Sequence, residues 1–100
     1  MKEISKSNAR KLGKNTLLLQ SMEECGELIK AISKYNRSMG IGQKTETPPV
    51  VAYADLCVEL ADVSICLEQL IYLMGLEEEI DRLKDIAFEK VAKRYEEANT

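Results

Sequence analysis

The sequence predicts an all-α protein, an antiparallel bundle of three to four helices in a single domain that is completed by dimerisation. Its 100 residues are enough for one hydrophobic core. Hydrophobic residues make up 45% of the chain and charged residues 31%, which is the balance of a chain that folds. The five glycines and two prolines fall mostly in one short stretch, so long uninterrupted segments remain for helices.

The first elements are a basic N-terminal segment and a long helix. Residues 1–14 are predicted to be either a short helix or disordered, because their hydrophobic pattern is weak. The long helix is predicted from about Asn15 to Arg37, with Asn15 or Thr16 as its N-cap. Its buried stripe is predicted from apolar residues that recur at alternating spacings of four and three. These are Leu18, Met22, Cys25, Ile29 and Ile32.

A loop and a strongly apolar helix follow. Residues 38–49 contain two glycines and the pair Pro48-Pro49, and each of these disfavours helix. The next helix is predicted from about Pro49 to Met74, and its apolar residues cover the whole helical circumference. A helix of this kind is buried on every side, so we expect it to lie at the centre of the protein.

The last helix is predicted to begin just after Gly75, with three glutamates in its first turn where they complement the helix dipole. Its inward stripe is predicted to be Ile80, Leu83, Ala87 and Val91. Two flanking helices leave part of the central helix uncovered, so we expect a second copy to cover it in a homodimer or homotetramer. The alternative is that the N-terminal segment folds back as a fourth helix.

Composition excludes several classes of protein. The chain has no histidine, which excludes Ser-His-Asp catalysis, HExxH zinc sites and ferritin-like di-iron sites. The three cysteines form no CxxC pair and are expected to be reduced, buried hydrophobes of a cytoplasmic protein: Cys25, Cys57 and Cys66. No targeting signal or membrane span is expected. The net charge of -3 argues against a nucleic acid polymer as partner.

Two pairs of acidic residues occur at helical spacing. Glu24 with Glu27, and Glu59 with Asp62, are three residues apart, which places each pair on one helical face with Cβ atoms about 5 to 6 Å apart. A carboxylate in an apolar helix loses its charge, meets a cation or costs several kcal/mol. Four such groups between two helices raise one another's pKa unless a divalent cation lies among them. Mg²⁺ suits these oxygen ligands.

A purely structural role for the acids is the alternative. An ExxE pair is usually part of a solvated helical face, and for Glu24 and Glu27 alone we would expect no more than that. Glu59 and Asp62 would then pair with basic residues of the last helix. Those residues are Lys90, Lys93 and Arg94.

Three motifs follow one another on three successive predicted helices: EECGEL at 23–28, ELAD at 59–62 and KVAKR at 90–94. In this order they resemble the MazG-like nucleotide pyrophosphohydrolases of the all-α NTP pyrophosphatase superfamily. The resemblance spans roughly residues 16–97. It implies that Mg²⁺, with Mn²⁺ as a possible substitute, is bound by the four acids of the two pairs, Glu24, Glu27, Glu59 and Asp62.

The resemblance also implies a reaction, the hydrolysis of a ribo- or deoxyribonucleoside triphosphate to monophosphate and pyrophosphate, for house-cleaning or control of the nucleotide pool. The implied phosphate contacts are Lys90 and Arg94, with Lys93. Gln20, one turn before Glu24, is either a substrate contact or a solvated side chain. The expected catalytic acids are Glu23 and Glu24, since the carboxylate least committed to the metal accepts a proton. The alternatives are a dimeric helical interaction module, and a degenerate relative that binds nucleotides without cleaving them.

Overall fold

A computed structural model describes residues 1–99 and consists of four helices. They are α1 (Glu3–Leu12), α2 (Lys14–Ser38), α3 (Pro49–Met74) and α4 (Glu77–Ala98). The all-α prediction is confirmed, and no strand occurs in the described residues. Within that part of the chain, no helix is both long and apolar enough to cross a membrane.

Helices α2 and α3 form the main packed pair. The Ser21 hydroxyl lies 3.3 Å from the Cys66 sulfur near one end of the pair. At the other end the rings of Tyr35 and Tyr53 are 6.2 Å apart. Low residue numbers of α2 therefore face high residue numbers of α3, and the two helices run antiparallel.

Glycines at positive φ fix where two of the helices begin and end. Gly13, at φ 83°, separates α1 from α2 and is itself the N-cap of α2. The prediction that Asn15 or Thr16 caps this helix is wrong, because the chain is already helical from Lys14. Gly75, at φ 66°, ends α3 in the left-handed conformation, where its N–H donates to the Tyr72 carbonyl oxygen.

The N-terminal segment folds back as a helix against the C-terminal half of α3. The Gln69 side-chain amide donates a hydrogen bond of 3.0 Å to the Ser5 carbonyl oxygen. The Arg10 guanidinium donates to the Tyr72 hydroxyl, and the Lys6 ammonium lies 5.6 Å from the centre of the same ring. Ala9 is fully buried. The structure therefore contains the fourth helix of the alternative prediction, and this helix, α1, covers one part of α3.

The apolar stripe predicted for α2 faces outward. Met22 exposes 72% of its surface and Ile29 exposes 68%. Helix α2 instead buries Leu17, Ser21 and Ala31 against its neighbours. Two of these side chains are small, so α2 and α3 approach closely. The prediction is wrong because α2 carries its larger apolar residues on a second face, which has no partner in one chain.

Helix α3 is not buried on every side within one chain either. Its buried residues are Ala52, Val63, Cys66 and Gln69. Large apolar residues elsewhere on α3, such as Val58 and Ile65, remain exposed. Cys57 is also exposed and Cys25 is half-buried, so only Cys66 fits the prediction of buried cysteines.

Helix α4 projects away from the other three. It contacts α3 alone, and none of its residues is buried. Leu83, Ala87 and Val91 of its predicted inward stripe are exposed, and Ile80 is half-buried. The radius of gyration is 17.2 Å, compared with about 13 Å for a compact domain of this length. A single chain is therefore not a closed bundle.

Candidate metal centre

Three of the predicted metal ligands meet between α2 and α3. Glu24, Glu59 and Asp62 each offer one carboxylate oxygen, and these oxygens lie within 4.8 Å of one another. Glu59 and Asp62 share a face of α3, and the antiparallel packing places Glu24 of α2 opposite them. Hard divalent cations bind oxygens at about 2.0 to 2.6 Å, so two ligands of one ion are up to about 5 Å apart. The spacing of this acidic triad fits a shared cation.

Glu59 is the electrostatic centre of the triad. Burial raises the pKa of its carboxyl above the ordinary value of 4.5, and the nearby charges of Asp62, Glu24, Glu27 and Asp55 raise the pKa further. Within residues 1–99, neither Glu59 nor Asp62 has a basic partner within 4 Å. The alternative in which both pair with α4 is therefore not found in one chain, and the repulsion is not compensated there.

Glu27 lies beside the triad but outside it. One of its oxygens is 3.5 Å from the Lys30 ammonium, and this ion pair is largely exposed. An exposed pair of this kind contributes little to stability. Glu27 also lines a groove of about 310 Å³ together with Glu59, and its charge contributes to the raised pKa of Glu59. The fourth predicted ligand is therefore a neighbour of the triad.

The two other predicted residues of α2 differ in placement. Gln20 is half-buried and lines a groove with Glu24 and Asp62, so the structure brings it to the triad. Glu23 is exposed and is not a member of the triad. Successive residues of an α-helix are rotated by about 100°, so Glu23 and Glu24 cannot face α3 together.

The predicted phosphate contacts are not at the triad in one chain. Lys90, Lys93 and Arg94 are all exposed on α4. That helix contacts α3 and neither α1 nor α2. The grouping of the third motif with the first two, expected from the sequence, does not occur within a single copy.

Three charged residues that the sequence analysis did not select line the groove beside Glu27 and Glu59. They are Lys30, Lys34 and Asp55. Asp55 is one turn before Glu59, and Lys30 is one turn after Glu27, so helical spacing was the signal that could have identified them. Tyr35 of α2 and Tyr53 of α3, near the loop that joins these two helices, pack against each other with rings tilted by 56°.

Comparison of the chain with family models, curated proteins and solved structures finds no match. The likeness to MazG-like pyrophosphohydrolases therefore rests on the three motifs of the sequence. The motifs on α2 and α3 come together in the structure, and the motif on α4 stays apart from them in one copy.

Proposed function

We propose that the protein is a Mg²⁺-dependent nucleoside triphosphate pyrophosphohydrolase of the MazG-like kind. The observation that carries the proposal is the convergence of Glu24, Glu59 and Asp62, from two separate motifs, to within 4.8 Å. The order of the three motifs along the chain supports it as well. Its substrates would be ribo- or deoxyribonucleoside triphosphates, and its role the house-cleaning or control of nucleotide pools in the cytoplasm.

The chemistry follows from the acids on α2 and α3. Glu24, Glu59 and Asp62 would hold the cation. Glu27, which lies beside the triad and pairs with the exposed Lys30, would be the fourth ligand. Mg²⁺ or Mn²⁺, when bound, neutralises charge on the leaving pyrophosphate and makes water more acidic. Gln20 contacts the substrate from the adjoining groove.

The bond change is a hydrolysis at the α-phosphorus. A water oxygen bonds to the phosphorus, and the bond from that phosphorus to the bridging oxygen of the β-phosphate breaks. The proton of the water is accepted by Glu23, which lies outside the triad, or by whichever of the four ligand acids is least committed to the metal. Nucleoside monophosphate and pyrophosphate leave.

A non-enzymatic helical interaction module is the second candidate, and the exposed apolar faces of α2, α3 and α4 favour it. They equally support a homodimer or homotetramer of the enzyme. An interaction module does not require acids to converge where, among residues 1–99, neither Glu59 nor Asp62 has a basic partner within 4 Å, and this feature favours the hydrolase. No nucleic acid polymer is proposed as a partner.

The test is incubation with Mg²⁺ and a panel of ribo- and deoxyribonucleoside triphosphates, with separate detection of pyrophosphate and orthophosphate. We expect one pyrophosphate per monophosphate, no product in chelator, and no product from Asp62→Asn. Asp81→Asn, the same change at an exposed position of α4, should keep the activity. Release of orthophosphate, or no product from the parent with any triphosphate, contradicts the proposal. Mg²⁺-dependent nucleotide binding without product identifies a degenerate relative.

A further inference from the structure

We infer that the groove beside the acidic triad selects a guanine base, with Asp55 and Lys34 contacting the edge of that base. The inference rests on the proposed function, because it names which nucleoside triphosphates the same site accepts. Its starting point is the groove of about 310 Å³ between α2 and α3, to which Glu59 of the triad also belongs. Pockets for small molecules begin at about this volume.

Lys34 of α2 and Asp55 of α3 lie on opposite sides of this groove. Tyr35 packs against Tyr53 and the two helices run antiparallel, so Lys34 lies level with the residues just after Tyr53. Asp55 is one of these residues. Among the residues that the structure describes, neither Lys34 nor Asp55 has an oppositely charged partner within 4 Å. The two charges therefore flank the groove without closing it as an ion pair.

The charges that line the groove do not favour a phosphate chain. The Lys30 ammonium is 3.5 Å from a Glu27 oxygen, so these two charges largely offset each other. Lys34 then remains with two carboxylates, those of Asp55 and Glu59, and these repel a polyanion. An uncharged group that both donates and accepts hydrogen bonds fits this lining, because it can contact the ammonium and a carboxylate at once. A nucleoside base is such a group.

The groove begins at the triad and extends away from it by about the length of a nucleoside. Asp55 is one turn before Glu59 and seven residues before Asp62, about 10 Å along the helix axis. With the phosphates at the triad, a ribose spans this distance and brings the base between α2 and α3. The small side chain of Ala31, which is buried, lines the groove there together with Val58. The flat ring can therefore pack on apolar atoms while its edge meets the two charges.

Guanine is the base whose edge matches this pair of charges. Its N1–H and its exocyclic amine are adjacent donors, and one carboxylate accepts both through two parallel hydrogen bonds. The O6 atom next to them accepts from an ammonium. Adenine and cytosine have a ring-nitrogen acceptor beside their amine, and uracil and thymine have their one N–H between two carbonyl oxygens. Each of these four bases would bring an acceptor against the Asp55 carboxylate, so the expected substrates are GTP and dGTP.

Binding of uncleavable nucleotides tests the inference separately from hydrolysis. The probes are the α,β-methylene triphosphates of guanosine, inosine, xanthosine and adenosine, titrated into the protein by calorimetry with Mg²⁺ present. We expect the guanosine analogue to bind at least about tenfold more tightly than the adenosine analogue. The inosine analogue lacks the exocyclic amine and keeps N1–H and O6, so its affinity should lie between the two.

Asp55→Asn should change the preferred base from guanine to xanthine. Xanthine has an oxygen in place of the exocyclic amine, and an amide can donate to that oxygen while it accepts from N1–H. The ratio of the two affinities should therefore reverse. Comparing bases within one variant cancels any effect of the lost charge on cation binding at Glu59. Asp85→Asn, the same change at an exposed position of α4, should keep the ratio of the parent.

Lys34→Met keeps the hydrocarbon stem of the side chain and removes the ammonium. It should weaken binding of the guanosine and inosine analogues, which both have O6, and leave the affinity for the adenosine analogue nearly unchanged. Lys44→Met, at an exposed position of the loop between α2 and α3, is the matched control and should change none of the affinities.

Three results overturn the inference. The first is a parent that binds all four analogues equally, or none of them. The second is an Asp55→Asn protein that still prefers guanosine over xanthosine. The third is a Lys34→Met protein in which the affinity for every analogue falls by the same factor. Failure of the proposed function is a different result, in which the parent releases no pyrophosphate although it discriminates among the bases.

Discussion

Glu59 is the residue at which the stability of the fold and the proposed function make opposite demands. Its pKa is raised by burial and by four neighbouring carboxylates, so the folded state binds its proton more tightly than the unfolded state does. The stabilisation from this residue is complete below the unfolded pKa and is lost as the pH rises through the folded pKa. Near neutral pH, without metal, the Glu59 carboxylate therefore destabilises the fold.

Glu59→Gln, which keeps the shape and removes the charge, should therefore melt at an equal or higher temperature than the parent in chelator at neutral pH. The difference in melting temperature should shrink on acidification, because the Glu59 carboxyl of the parent becomes protonated. Thermal melts of both proteins in chelator, from acidic to neutral pH, measure this difference. Glu89→Gln, at an exposed position in the middle of α4, is the control and should melt like the parent in chelator.

Added metal should reverse the order of the two melting temperatures, so that the parent melts above Glu59→Gln. A ligand present at a hundredfold excess over its Kd stabilises the folded state by about 2.7 kcal/mol, and Glu59→Gln should lose most of the stabilisation that Mg²⁺ or Mn²⁺ gives the parent. An equal response of both proteins means that Glu59 is not a ligand. Strong destabilisation of Glu59→Gln in chelator means that the carboxylate had a buried basic partner.

At the scale of the helices, proline and glycine residues made the first and last residues of α3 predictable from the sequence. Helix α3 spans Pro49–Met74, as expected, since a proline is tolerated in the first turn and Gly75 adopts a left-handed conformation at the end. The i, i+3 spacing likewise predicted Glu59 and Asp62 on one face. Glu24 lies opposite these two residues because α2 and α3 pack as antiparallel neighbours.

Which face of each helix is buried was not predictable in the same way. Helix α2 has one face with Met22 and Ile29 and another with Leu17 and Ser21, and periodicity favours the more apolar one. The structure buries the second face, where the Ser21 hydroxyl donates to the Leu17 carbonyl oxygen and is satisfied. The spacing of hydrophobic residues along a helix shows which helical face must be covered by another surface. It does not show whether that surface belongs to the same chain or to a second one.

Two glycines of this chain should respond in opposite directions to the same substitution. Gly75→Ala places a side chain at φ 66° and should destabilise the protein by about 1 kcal/mol. Gly26 lies inside α2, and a Cβ added there meets no atom within 4 Å, so Gly26→Ala should stabilise by about 0.5 to 1 kcal/mol. Urea unfolding of both variants measures the difference, and equal signs would contradict the helix ends described above.

For the whole molecule, the exposed apolar surface predicts association. Sedimentation across a range of concentrations should show a dimer or larger species. Leu83→Lys, on the exposed α4 stripe, should give a monomer that keeps its helical circular dichroism, because Leu83 is not part of the core of one chain. Lys84→Ala, one residue away and off that stripe, should leave the assembly intact. A parent protein that stays monomeric at micromolar concentration contradicts the prediction.

The position of α4 has a consequence for how the chain behaves at low concentration. Its apolar side chains stay in water until another surface covers them, and a second chain is the cover that the exposed apolar surface predicts. Pairing of two chains is a second-order step, so the covered fraction should fall on dilution. A helix that contacts α3 alone opens easily when it is uncovered, so proteolytic cleavage within α4 should be fastest in the most dilute samples.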